Sequence, residues 1–261
     1  MDRVRKREFP YMYSRDKKLF HLVGKLKDVP GSLGDVLALL SKRLNLLGSV
    51  SYTLGDGNAI WSAFGEAVNP SESAAALKQI LLSSGVVSEF DVTEDDEGLL
   101  VDSFHTGIVS ESGESYLMMP RNALSHMFDQ VVIQFGSGGE LLLYNQGTSL
   151  GKDVAEFFVR LLGVDLAKRK VAQLRPLLSA LGWGVPVRVS EDPPGTYTLR
   201  VEDCFECSSG HDVTRGCSFM MGYFAGAASR VIGIEIACKE TKCRLKGDRD
   251  CEFLIGPKLK S

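Results

Sequence analysis

Cysteines near the C-terminal end are the residues best suited to chemistry in this chain. All six cysteines of the 261 residues lie between Cys204 and Cys251, which indicates one local site. Cys243 and Cys251 flank a Gly247-Asp248 turn, which can fold both stems toward one ion. Thiolates are soft ligands that favour zinc, and a carboxylate can complete the tetrahedron. We therefore predict a zinc site formed by Cys217, Glu240, Cys243 and Cys251.

The carboxylate in this set has a competitor. Cys238 lies two residues before Glu240 in a predicted strand, so both side chains point the same way. A four-cysteine site that uses Cys238 instead of Glu240 is the alternative. Either set fills the tetrahedron and leaves no position for water, which is typical of structural zinc. We expect the metal to hold the C-terminal hairpin against the helix before it.

Cys204 and Cys207 have the C-x-x-C spacing of redox and metal sites. They end a predicted strand, where residues i and i+3 point to opposite faces. We therefore expect one of them to be buried as a small hydrophobic residue and the other to lie near a ligand pocket. A second metal site is not predicted here.

Motifs for nucleotide binding or catalysis are missing from the sequence. Gly147–Lys152 is one residue too short for a phosphate loop, and Asp153 stands where Ser or Thr is needed. Gly136-Ser-Gly-Gly139 is predicted to lack the preceding strand and the following helix of a dinucleotide fingerprint. The four histidines are scattered, and no catalytic triad can be argued. A binding protein is therefore favoured over an enzyme.

Composition narrows the class of protein and its partners. The apolar fraction of 44% and charged fraction of 24% are typical of a soluble globular protein. The net charge of −3 argues against nucleic acid as the main partner. The N-terminus lacks the apolar stretch of a secretory signal, and no run approaches the ~20 apolar residues of a membrane span. We expect a cytoplasmic protein with reduced cysteines and no membrane partner.

Hydrophobic periodicity predicts an α+β fold in two domains. After a polar leader over residues 1–17, residues 18–95 show the ferredoxin-like order βαββαβ, with Ser71 as the cap of the second helix. An acidic stretch over residues 93–98 marks the boundary, and residues 96–114 form a linker with the first extended segments. Residues 115–261 form a second α+β domain. Its helices are predicted from Pro120 to Phe135, around residues 154–162 and 166–181, and from Cys217 to Val231.

The turn Asp28-Val-Pro-Gly-Ser-Leu33 joins the first strand to the first helix of residues 18–95. A glycine at this place lets backbone N–H groups approach a ligand carboxylate at the helix N-terminus. The turn and the βαββαβ order resemble the ACT domain, a regulatory fold that commonly binds amino acids. The resemblance implies a ligand turn at Asp28, Pro30, Gly31 and Leu33, an amino acid as ligand, and a homodimer.

The metal motif resembles the V4R (4-vinyl reductase) domain over about residues 115–256. Cys217 opens a helix continued by Gly222-Tyr-Phe-Ala-Gly226, and Glu240-x-x-Cys243 and Gly247-Asp-x-x-Cys251 complete the pattern. The spacings are similar to those of the zinc site in phenol-sensing members. The resemblance implies a small apolar or aromatic ligand held beside the zinc hairpin, with contacts from Trp183, Phe205 and His211.

Together these features predict a two-domain sensor. The ACT-like domain would pair subunits or bind an amino acid, and the V4R-like domain would bind the apolar ligand. Since no DNA-binding element is present in the sequence, the output would pass to an effector protein of unknown identity. Two alternatives remain open: an adaptor subunit, because the V4R fold is similar to subunits of TRAPP transport complexes, and a 4-vinyl reductase-type enzyme. The enzyme is disfavoured because no nicotinamide or flavin motif is present to supply a hydride.

Overall fold

The computed structural model describes residues 10–165, 167, 175–191, 195–209 and 215–258. The chain divides into two compact units, Met1–Leu117 (unit 1) and Met118–Ser261 (unit 2). Both units mix helices and antiparallel strands, which confirms the predicted α+β class. Within the described ranges, no helix is both long enough and apolar enough to cross a membrane.

Twelve strands and six helices are described. The strands are β1 Tyr11–Tyr13, β2 Leu19–Lys27, β3 Leu44–Thr53, β4 Asn58–Ala67, β5 Val87–Asp95, β6 Leu99–Val101, β7 Ile108–Val109, β8 Ser115–Tyr116, β9 Val185–Glu191, β10 Tyr197–Glu202, β11 Ile236–Lys242 and β12 Cys251–Pro257. The helices are α1 Ser32–Leu40, α2 Ala74–Ser83, α3 Arg121–Phe135, α4 Ser137–Leu162, α5 Arg175–Ala180 and α6 Ser218–Ile232.

Unit 1 has the predicted βαββαβ order from β2 to β5, and its four antiparallel strands lie in the order β3-β4-β2-β5. Alternation along the strands separates the two faces of the sheet. Phe20 and Trp61 pack with Leu40 of α1 and Leu81 of α2 in the main core. His21, the residue after Phe20 in β2, lies on the opposite face of the sheet.

Short elements of unit 1 differ from the sequence-based expectations. β1 lies within the segment predicted as a polar leader, and it pairs with β6 in the segment predicted as a linker. Strands of three residues are too short to show a period. The cap of α2 is Ser73, whose hydroxyl accepts the N–H of Ala76, whereas the predicted Ser71 bonds to Asn69. Both serines suit a cap, and only the chain path distinguishes them.

Unit 2 has a sheet in the order β11-β12-β10-β9 and a long helix where the sequence predicted a short one. The predicted helix began near residue 154, but α4 already begins at Ser137. Glycines inside α4 lowered the apparent helix propensity, and the same glycines had been considered as a phosphate loop. Their role is packing.

Four glycines let α4 and α6 approach closely. A Cβ atom at Gly147 or Gly151 of α4 would lie 2.0 or 2.2 Å from a backbone oxygen of α6. A Cβ atom at Gly222 or Gly226 of α6 would lie 2.0 or 2.2 Å from a backbone oxygen of α4. Because no side chain fits at this contact, the backbones touch, and the start of α6 is held in a fixed position.

Candidate metal centre and aromatic cluster

Five buried thiols meet in unit 2 and form what we call the thiol cluster. Three of them form a compact triangle, with Sγ–Sγ distances of 3.2 Å for Cys207–Cys217, 3.4 Å for Cys207–Cys251 and 3.7 Å for Cys217–Cys251. Cys243 Sγ lies 3.9 Å from the sulfurs of both Cys207 and Cys217. The fifth thiol, Cys204, lies 3.9 Å from Cys217. All five cysteines are free, as is the sixth, Cys238.

These distances fit one tetrahedral ion. A Zn–S bond of about 2.3 Å gives sulfurs about 3.8 Å apart in a regular tetrahedron. The five Sγ–Sγ distances among Cys207, Cys217, Cys243 and Cys251 given above lie between 3.2 and 3.9 Å. The sulfurs therefore stand where a single soft metal ion could bind them.

The 204–207 turn corrects the prediction for the C-x-x-C pair. Phe205–Cys207 is a short 3₁₀ helix that begins after β10, and Asp203 before it has a positive φ of 51°. Residues i and i+3 lie on the same side of a 3₁₀ helix, whereas they would diverge in a strand. Cys204 and Cys207 therefore both point into the thiol cluster. The expectation that their side chains would point to opposite faces was wrong, whereas the burial expected for one of the pair is confirmed for Cys204.

Local structure also fixes the other thiols. Cys217 is the N-cap of α6. The backbone N–H of Cys243 donates to a carboxylate oxygen of Asp248 at 2.8 Å, and Gly247 has a φ of 94° in the left-handed region. The predicted Gly247-Asp248 turn thus brings Cys243 and Cys251 together, as expected from the sequence.

Glu240 lies beside the thiol cluster and has other partners. Its carboxylate is within 4.8 Å of the sulfurs of Cys217, Cys243 and Cys251, so the predicted set does come together. The backbone N–H of Cys217 donates to both oxygens of Glu240, at 3.2 and 3.3 Å. Lys246 Nζ lies 3.7 Å from the same carboxylate. Glu240 thereby satisfies an N–H at the start of α6, where a negative charge is favourable.

Cys238 is the alternative ligand that the strand periodicity left open. It is buried in the hydrophobic core of unit 2 and pairs with Ile255 of β12. Among the described residues, the groups of donor atoms within 4.8 Å of one another do not include its sulfur. Burial raises the pKa of the Cys238 thiol, which keeps it neutral.

Hydrogen bonds between the thiols distribute their protons unevenly. The neighbouring thiols, Cys204 first, lower the pKa of Cys207. The same network, again with Cys204 first, raises the pKa of Cys217 and of Cys251. Cys207 is therefore the sulfur that the surrounding S–H groups stabilise as a thiolate.

A buried ionic network contacts the 204–207 turn and stabilises it. Arg215 is fully buried, and its guanidinium donates to Asp129 of α3 at 2.6 Å and to Glu206 at 3.2 Å. Glu206 also accepts the N–H groups of Phe219 and Met220 in the first turn of α6. Burial raises the pKa of Glu206 to about 8, opposed by the charge of Arg215. The network ties α3, the 204–207 turn and α6 together.

Aromatic rings pack on the other side of this turn and form the aromatic cluster. The ring centroids of Trp183 and Phe205 are 5.5 Å apart, and the backbone N–H of Phe205 donates to the carbonyl of Trp183 at 2.9 Å. Two of the three predicted ligand contacts therefore lie together, and His211 lies outside the described residues. The cluster consists of Phe128, Trp183, Phe205, Phe219 and Tyr223. Burial raises the pKa of Tyr223 to about 12, so its hydroxyl stays neutral.

The predicted ligand turn of unit 1 has the expected local form. Gly31 precedes α1 with a φ of 100°, a conformation that favours glycine. Asp28, Pro30 and Gly31 are exposed, and Leu33 is half-buried. The turn is therefore accessible, while its use by a ligand stays a prediction.

Unit 1 also contains a polar group that the sequence analysis missed, on the sheet face opposite the helices. His21 is buried, with Nε2 3.0 Å from the hydroxyl of Ser62 and 3.8 Å from Asp102. His105 Nδ1 lies 2.7 Å from the other oxygen of Asp102. Burial lowers the pKa of His21, against the opposing charge of Asp102. Because His21 and His105 are 84 residues apart, no local sequence pattern predicted this polar group.

Comparison with known proteins identifies one domain. Residues 197–257 match the model of the V4R domain, and this stretch contains the whole thiol cluster. The match confirms the V4R part of the predicted resemblance, over a shorter range than predicted. An uncharacterized protein of Methanocaldococcus jannaschii is 28% identical over 125 residues, which are 48% of this chain and 68% of that protein.

Three solved structures are similar to the chain at low identity. The phenol-responsive sensory domain of the transcription activator PoxR, with phenol, is 15% identical with a TM-score of 0.44, covering 88% of this chain and 92% of that one. A palmitate-bound trafficking protein particle complex subunit 3 from Naegleria fowleri is 14% identical (TM-score 0.39; 53% and 95% covered). A vinyl-4-reductase family protein from Methanocaldococcus jannaschii is 16% identical (TM-score 0.36; 54% and 82% covered).

Proposed function

We propose that this protein is a small-molecule sensor whose V4R domain binds an apolar or aromatic ligand beside a structural zinc ion. The V4R match and the donor chemistry of the thiol cluster support this proposal. A closed, sulfur-rich site is typical of zinc that stabilises a fold. When bound, the ion would supply fixed bonds between the β11–β12 hairpin, the 204–207 turn and the start of α6.

The observation that carries the proposal is that neighbouring residues of the 204–207 turn contact different groups. Cys204 and Cys207 point into the thiol cluster, Phe205 belongs to the aromatic cluster, and Glu206 binds Arg215. A ligand that displaces the rings of the aromatic cluster must therefore move a turn that the metal holds. This shared turn is the element through which ligand binding would change the domain.

Fluorescence of Trp183 tests ligand binding directly. The chain has two tryptophans, Trp61 in unit 1 and Trp183 in the aromatic cluster, so a Trp61→Phe variant reports on Trp183 alone. We expect a saturable change in emission on titration with phenol or another small aromatic compound, and a rise in melting temperature with saturation. Phe205→Ala should weaken the affinity, whereas Phe135→Ala, at an exposed position of α3, should leave it unchanged.

A Trp183→Phe variant, which keeps Trp61, is the matched control and should show no change in emission. An absence of saturation and of thermal stabilisation with every aromatic probe would contradict the sensor role. Copurification of a redox cofactor would instead favour the reductase alternative.

We also propose that unit 1 pairs two copies of the chain, with an amino acid as its ligand and an effector protein receiving the output. In the part of the chain that the structure describes, β3 is an edge strand of its sheet, and Val50 and Tyr52 in β3 and Leu54 just after it are exposed. An uncovered edge with apolar side chains favours pairing with another chain. Native mass spectrometry should show a dimer that Val50→Lys dissociates, and a monomeric parent protein would contradict this part.

A further inference from the structure

We infer that the fourth metal ligand is the thiolate of Cys207, so that the ion is bound by Cys207, Cys217, Cys243 and Cys251 and not by Glu240. This inference rests on the proposed zinc site and specifies its ligands. It departs from the three-cysteine, one-glutamate set that the sequence pattern implied.

The position of Cys207 is the first argument. Its sulfur makes the two shortest contacts of the thiol cluster, 3.2 Å to Cys217 and 3.4 Å to Cys251. If an ion bound Cys217 and Cys251 without Cys207, this third sulfur would lie beside two thiolates without a bond to the metal. As a thiolate this sulfur would be repelled by its two neighbours, because like charges are costly in a dry site, and a bond to the same ion removes that repulsion.

The hydrogen bonds of Glu240 are the second argument. Both of its oxygens accept the N–H of Cys217, and Lys246 lies beside one of them. The carboxylate is therefore used as a cap for α6 and as the partner of a cation. In this position it orients the backbone of a metal ligand, which is a common role for a carboxylate next to a metal site.

Total charge does not distinguish the two sets, since either one brings four negative charges to a divalent ion. Geometry does, because the sulfur of Cys243 lies 3.9 Å from those of Cys207 and Cys217, two corners of the Cys207–Cys217–Cys251 triangle. Cys204 lies on the same triangle and is left as the spare thiol. A spare thiol could replace a missing ligand, so the test must remove it first.

X-ray absorption at the zinc edge counts the sulfur neighbours of the ion in the full-length protein. We expect four sulfurs at about 2.3 Å and no oxygen in the parent protein. Cys204→Ser and Cys204→Ser/Glu240→Gln should keep four sulfurs. Cys204→Ser/Cys207→Ser should have three. The cobalt-substituted proteins give an independent readout, because the sulfur-to-cobalt absorption band weakens with each lost thiolate.

Three sulfurs and one oxygen in the parent protein would overturn the inference, as would four sulfurs in Cys204→Ser/Cys207→Ser. Loss of a sulfur in Cys204→Ser would overturn it too, because Cys204 would then be a ligand. If the Cys204→Ser/Cys207→Ser protein does not fold, the Cys204→Ser and Cys204→Ser/Glu240→Gln proteins still decide the question, because four sulfurs in both leave Cys207 as the fourth ligand. A parent protein without metal would instead reject the proposed zinc site itself, and the Trp183 titration tests the sensor role separately.

Discussion

The sulfurs of Cys207 and Cys217 lie 3.2 Å apart, although one belongs to a 3₁₀ turn and the other is the N-cap of α6. Their contact joins the turn that carries Phe205 to the helix that carries Phe219 and Tyr223. The thiol cluster and the aromatic cluster therefore lie on two sides of the same pair of elements. A perturbation on either side should be detected on the other.

Metal removal should destabilise unit 2 and leave unit 1 nearly unchanged. A ligand present at 1,000 times its dissociation constant stabilises the folded state by about 4 kcal/mol, and a chelator removes this term. Thermal unfolding followed by Trp183 in Trp61→Phe should shift to lower temperature with chelator. Unfolding followed by Trp61 in Trp183→Phe should not shift. Equal shifts for both reporters would contradict a local role of the metal.

Gly222→Ala should destabilise unit 2 by about 1–3 kcal/mol or more, because the added methyl group must push the α4 and α6 backbones apart. The methyl carbon would lie 2.0 Å from the carbonyl oxygen of Tyr144. Gly138→Ala, also in a helix but with no atom within 4 Å of the new methyl, is the matched control. It should be neutral or stabilise by up to about 1 kcal/mol. Urea unfolding measures both, and equal effects would argue against close helix packing.

Arg215→Met should cost about 3–5 kcal/mol, because the buried carboxyl groups of Asp129 and Glu206 would lose the hydrogen bonds and the positive charge of the guanidinium. Arg230→Met is the control, since Arg230 pairs with Glu156 at an exposed site where solvent screens the salt bridge, so its loss should change the stability little. Chemical denaturation of unit 2, followed by Trp183, compares the two. A loss below 1 kcal/mol for Arg215→Met would mean that the network does not support the turn.

Acidification should destabilise unit 1 through His21. Because burial lowers the pKa of this histidine in the folded state, the unfolded state binds its proton first. Stability is therefore complete above the unfolded pKa of about 6.5 and falls as the pH drops below it. The charges of Asp102 and Asp91 raise the pKa of His21, and the charge of His105 lowers it further.

The measurement is urea unfolding of Trp183→Phe, followed by Trp61 between pH 7.5 and pH 5.5. His21→Gln should reduce the dependence on pH, and His126→Gln, an exposed histidine of unit 2, should not. A pH dependence that persists unchanged in His21→Gln would assign the titration to another group.

Elements with a clear period were predictable from the sequence. β2 and β4, for which alternation predicts residues 19–26 and 59–67, begin and end within one residue of these bounds, because alternation is a local signal. α4 was predicted too short, because Gly147 and Gly151 lower the local helix propensity. Their favourable contribution is close packing against α6, which lies far along the chain. The strand β1 was missed for a similar reason, since it gains its hydrogen bonds from β6, which lies in the segment predicted as extended.

The sequence by itself determined that a sulfur-rich site lies in the C-terminal quarter of the chain and that Cys243 and Cys251 meet across a turn. Spacing within one hairpin was sufficient for that, because the turn chemistry of Gly247-Asp248 is local. Only the tertiary structure decided that Cys207 joins them while Glu240 caps α6. A single residue with positive φ, Asp203, changes a strand end into a 3₁₀ turn, and this rotates a side chain from one face to the other. Such a rotation depends on the contacts that hold the turn, including Arg121 and Arg215, and these come from distant parts of the chain.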